Sequence, residues 1–66
     1  MKTRFTRRHI GLPVRFNAFD GKTYWGTILL VKRGIVKIVY DVTNEGGLCI
    51  ARPNAYVEDH SRITLA

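Results

Sequence analysis

The stretch from Asp20 to Asp41, DGKTYWGTILLVKRGIVKIVYD, carries apolar residues on both faces of a two-residue period, which commits this chain to a sheet. Taking Lys32-Arg33-Gly34 as a three-residue hairpin loop, with Gly34 at positive φ, sets Val31 opposite Ile35. Counting outward, Leu30 opposes Val36, Ile28 opposes Ile38 and Gly26 opposes Tyr40, and these six form the expected core face. The other face carries Trp25, Thr27, Leu29, Val31, Ile35, Lys37, Val39 and Asp41, too apolar for the solvated side of an ordinary antiparallel pair. Leu29, Val31, Ile35 and Val39 are therefore expected to form an oligomer interface, with a homodimer as the simplest assembly.

At 66 residues the chain makes one domain, near the lower limit for folding without disulfides or metal. Its apolar runs are too short to span a bilayer, and no apolar stretch of signal-peptide length follows the basic N-terminus, so no membrane association is expected. The single Cys49 cannot form an internal disulfide, which suits a cytoplasmic protein. The net charge of +6 is uneven: residues 1–40 hold nine Lys or Arg against Asp20 alone, whereas the remainder is net acidic. A field of this sign gathers polyanions, and nucleic acid, DNA or RNA, is the leading cytoplasmic candidate.

Residues 1–11, MKTRFTRRHIG, hold Lys2, Arg4, Arg7 and Arg8 without an acid and read as a basic arm. Residues 12–66 form the domain. Val14, Phe16 and Ala18 alternate with Arg15 and Asn17 in a first strand, and Asp20-Gly21 turns it into the long second strand. Thr43 to Gly47 is a further turn, Leu48 to Ala51 a short strand, and Arg52-Pro53-Asn54 its end. Asn54 to Asp59 suits one 3₁₀ turn, after which Ser61 to Leu65 closes the sheet.

This order resembles small SH3-like β-barrels, and DGKTYWGTILLVKRGIVKIVYD is similar to the Tudor, chromo-barrel and KOW pattern of an aromatic pair, a glycine, a short turn and an alternating strand. ARPNAYVE resembles the one-turn helix before the last strand of such barrels. The resemblance implies an all-β, five-stranded SH3-like antiparallel barrel with a single 3₁₀ turn before its last strand. Methyl-lysine recognition by Tudor barrels needs an aromatic cage, for which Phe19, Tyr24, Trp25 and Tyr40 are available. RFTRRHIGLPVRF and DVTNEGG are also similar to the RxxxR and D/NxSxxG elements of PilZ domains. That likeness implies binding of a cyclic dinucleotide such as cyclic di-GMP by Arg4, Arg8, Asp41, Thr43 and Gly46.

Nothing points to catalysis. His9 and His60 are the only histidines, with neither a CxxC nor an HxxxH spacing, so no metal, cofactor or catalytic group is expected. The leading expectation is a binding module of low sequence specificity. Arg4, Arg7, Arg8, Arg15, Lys22, Lys32, Arg33 and Lys37 would meet phosphates, with Trp25 as a stacking residue. A module that grips another protein, of the kind phages and mobile elements encode, is the third class.

Overall fold

The computed structural model describes residues 4–66. It is all-β, with seven strands: β1 (Pro13–Asn17), β2 (Thr23–Lys32), β3 (Ile35–Tyr40), β4 (Val42–Thr43), β5 (Cys49–Ala51), β6 (Asn54–Val57) and β7 (Ile63–Leu65). Five of them form one antiparallel sheet in the order β6-β3-β2-β1-β7, and β4 pairs with β5 as a separate hairpin. β6 and β7 are the sheet's two edges, so the sheet wraps its core without closing into a barrel, a form compatible with a small barrel-like fold.

The core is built from alternate positions of these strands. Val14 and Phe16 of β1, Ile28 and Val31 of β2, Val36 and Ile38 of β3, Val57 of β6 and Ile63 of β7 are buried together. Gly26 lies opposite Tyr40 as its spacing implies, and the Tyr40 ring meets Phe16 at 5.3 Å and Tyr24 at 5.0 Å between centroids.

The hairpin departs from the expected register near its turn. Arg33 and Gly34 both take positive φ, 52° and 77°, giving a two-residue loop in which Lys32 opposes Ile35 and Val31 opposes Val36. Such primed turns match the right-handed twist of the flanking strands, which a three-residue loop here does not need to supply. A bulge between Ile28 and Leu30 then absorbs one residue, and the expected pairs Ile28 with Ile38 and Gly26 with Tyr40 are restored beyond it. The bulge exchanges two side chains. Val31, expected in the interface, is 8% exposed and belongs to the core, whereas Leu30, expected in the core, is 45% exposed.

Asn54 to Asp59 is likewise corrected. Asn54–Val57 is strand β6, pairing Tyr56 with Lys37 and Val57 with Val36. The one-turn helix before the last strand lies instead at His60–Arg62, where Asp59 caps it by accepting the Ser61 N-H at 3.0 Å. A second such turn occupies Arg7–His9, capped by the Thr6 side chain.

The segment read as a basic arm is docked from Phe5 onward. Phe5 is 2% exposed in the core, its backbone N-H donates to His60 Nδ1 at 2.9 Å, and Gly11 N-H donates to the Ile28 carbonyl at 2.7 Å. His60 Nε2 lies 2.7 Å from the Gly34 carbonyl, so one imidazole joins this segment, the β2-β3 turn and the second 3₁₀ turn. Lys2 lies outside the described residues. Among the described residues no helix is long and apolar enough to cross a membrane.

Candidate nucleic-acid interface

Strand alternation that sends Val14, Phe16, Ile28 and Ile38 inward sends Arg15, Trp25, Thr27, Lys37, Val39 and Tyr56 to the opposite face. Cross-strand pairing fixes who meets whom: Arg15 opposes Trp25, Thr27 opposes Val39, and Lys37 stands between Leu30 and Tyr56. Two cation-aromatic pairs result, with the Arg15 guanidinium 5.9 Å from the Trp25 ring and Lys37 Nζ 5.6 Å from the Tyr56 ring. Trp25 remains 60% exposed and Tyr56 67% exposed. Between them lies an apolar strip of Leu29, Leu30 and Val39, the first two brought out side by side by the bulge.

Grooves flank both aromatics. One, of about 610 Å³, runs beside Trp25 and is lined by Lys22, Thr23, Asp41 and Thr43. Another, of about 290 Å³, places Tyr56 with Leu30, Lys32, Arg33, Ile35 and Lys37, and a third, of about 400 Å³, places it with Phe19, Ile35, Glu58, Asp59 and Arg62. No Asp or Glu lies in any of the seven strands. Asp41, which follows β3 beside Trp25, meets Arg52 Nε at 3.3 Å, and this contact offsets its charge. The strands of the face are therefore cationic and aromatic, while Asp41 beside Trp25 and Glu58 and Asp59 beside Tyr56 flank it from the connections.

Asp20 sits at the rim, in the β1-β2 turn. Its Oδ2 accepts the Tyr24 hydroxyl at 2.7 Å and its Oδ1 the Lys22 N-H at 2.8 Å. Stabilisation of the carboxylate by the Tyr24 bond, then by the Lys22 N-H, holds Asp20 below the usual carboxylate range, and the same bond to Asp20 pushes Tyr24 upward. Tyr24 is thus fixed on the core side with Tyr40, leaving Trp25 as the outward-facing member of the adjacent aromatic pair.

The residues expected to bind nucleic acid are distributed unequally. Arg15, Trp25 and Lys37 share the face, Lys32 and Arg33 border its Tyr56 end, and Lys22 borders its Trp25 end. Arg4, Arg7 and Arg8 are exposed around the first 3₁₀ turn, which packs beside β2. Of the four expected interface residues, Leu29 is exposed, Ile35 and Val39 are half-buried, and Val31 is in the core.

The elements of the cyclic-dinucleotide alternative are anchored toward opposite ends of β3. Phe5, between Arg4 and Arg8, is tied through His60 to Gly34 at one end of β3, while Asp41, Thr43 and Gly46 follow its other end. At the rise of a strand, the six residues of β3 set those two ends about 20 Å apart. The cage aromatics are split as well: Tyr24 and Tyr40 meet at a tilt on the core side, Trp25 faces outward, and Phe19 lies under Arg62, 4.1 Å from its guanidinium.

Tyr56 is the residue of this face that sequence reasoning misses. Its signal was present, because Asn54-Ala55-Tyr56-Val57 alternates polar or aromatic against small or apolar, but the neighbouring Pro53 and the cap-like Asn54 favoured a turn. Among the described residues no group of three or more His, Cys, Asp or Glu gathers in a way that could hold a metal ion. No family model, curated protein or solved structure matches this chain.

Proposed function

We propose that this chain is a small nucleic-acid-binding module of low sequence specificity that acts in the cytoplasm, built on an SH3-like barrel of the Tudor, chromo-barrel and KOW kind. Support for the barrel comes from the β6-β3-β2-β1-β7 order with a 3₁₀ turn immediately before β7, which follows the strand sequence of such folds once the β4-β5 hairpin is taken as an insertion. Support for the ligand comes chiefly from one observation, the pairing of an exposed aromatic with a cation at both ends of a sheet face that carries no strand carboxylate.

The chemistry follows from the groups. Arg15, Lys32, Arg33 and Lys37 neutralise phosphates and release their condensed counterions, so affinity depends on salt. Contacts to phosphate carry no base code, and no helix protrudes from the described residues to enter a groove and read base edges, so discrimination among sequences is weak. Titration against DNA and RNA at several salt concentrations is the test. If four cations are engaged, log K falls with log salt at a slope of about −3 to −4. Replacing Lys32 and Arg33 together by alanine reduces that slope by about two. Absence of binding at low salt overturns the proposal.

A further inference from the structure

Resting on that reading, we infer that the ligand of the outer face is single-stranded nucleic acid, crossing the sheet diagonally with its bases stacked on Trp25 and Tyr56. The two rings are separated by four residues along β3 and by two strand spacings across it, which sets them roughly 16 Å apart. At about 3.4 Å per stacked nucleotide this is four or five steps, so both stations are filled by a strand of about five or six residues.

The occupant is chosen by charge and by shape together. A duplex presents phosphates to the cations but keeps its base faces inside the helix, leaving two broadly exposed rings in water. A second copy of the chain, docked face to face about a two-fold axis, sets the face's Arg15, Lys32 and Lys37 against the same cationic set. An unpaired strand supplies flat apolar faces to Trp25 and Tyr56, anions to Arg15 and Lys37, and sugar edges to the strip at Leu29 and Leu30.

Trp25 is the only tryptophan, so its fluorescence reports on one of the two stations directly. Oligothymidylates of about two to ten residues are titrated at about 50 mM salt, with a blunt duplex of mixed sequence as competitor. Saturable quenching is expected, with affinity rising steeply up to about six residues and little displacement by the duplex. By anisotropy of a labelled strand, Trp25→Ala and Tyr56→Ala each weaken binding by about five- to a hundred-fold, with the circular dichroism of the folded protein retained. Tyr56→Phe, which keeps the ring, restores affinity if Tyr56→Ala is poorly folded.

Four outcomes overturn the inference. Duplex binding as tight as single-strand binding, or single-strand binding that leaves Trp25 emission and both alanine variants unaffected, removes the stacking and leaves the polyanion reading standing. Failure of both nucleic acids to bind removes both. A dimer that Leu30→Glu dissociates and that a single strand fails to compete assigns the face to a second copy.

Discussion

A Cβ at position 26 would stand 2.5 Å from the Val39 carbonyl oxygen and 3.2 Å from Tyr40 Cβ, so glycine there is required by the close approach of β3 and not by its backbone angles. The same approach lets Tyr40 reach Phe16 and Tyr24, and it holds Trp25, one residue away, on the far side. Gly26→Ala is expected to lower stability by about 1–3 kcal/mol in urea unfolding, because the opposing atom is backbone and cannot rotate away. Gly46→Ala, where the nearest atom is a side-chain oxygen at 3.4 Å, serves as the control and changes stability by no more than about 0.5 kcal/mol. The need for a small residue at 26 was legible from the sequence because the pairing opposite Tyr40 follows from counting. The docking of Phe5 was not, since one aromatic among Arg4, Arg7 and Arg8 sets no period, and its partner His60 lies 55 residues away.

At the level of the β2-β3 hairpin, the sequence is informative wherever polar residues mark one face and silent where they do not. Ile28, Leu29, Leu30 and Val31 are all apolar, so nothing in that run says which pair points inward, and the turn decides. Because Arg33 accepts a left-handed conformation at a cost of about 1 kcal/mol, the loop shortens to two residues and the bulge follows. The functional consequence is the outward pairing of Leu29 and Leu30, which forms the apolar floor between the two aromatic stations. The register has a direct test. Val31→Ala removes a core side chain and is expected to cost about 2 kcal/mol, while Leu30→Ala changes stability by about 0.5 kcal/mol or less. A regular three-residue loop predicts the reverse order, so two urea melts distinguish the arrangements. Tyr56 follows the same logic: β6 is recognised only once Val57 is seen to oppose Val36, a contact made across some twenty residues of intervening chain.

Across the whole molecule, the charge asymmetry of the sequence becomes a spatial one. Arg15, Lys22, Lys32, Arg33 and Lys37 supply the sheet face and its borders, while Glu45, Glu58 and Asp59 lie in connections outside the strands. The outer face therefore has two physically distinct uses whose dependence on salt is opposite in sign. Neutralising phosphates weakens as salt rises, because released counterions must be displaced into a more concentrated solution. Self-association through Leu29 and Leu30 strengthens as salt rises, because screening removes the repulsion between two +6 chains while apolar burial is unaffected or enhanced. Light scattering across a salt series, with and without an oligothymidylate of about eight residues, separates them. The expected result is the 7.5 kDa monomer at low salt. Any dimer should appear only as salt rises, and the oligonucleotide should reverse it, because both ligands claim the same strip. A dimer that is stable at low salt and indifferent to the oligonucleotide would mean that the homodimer expected from the hairpin's apolar outer face outweighs its own charge.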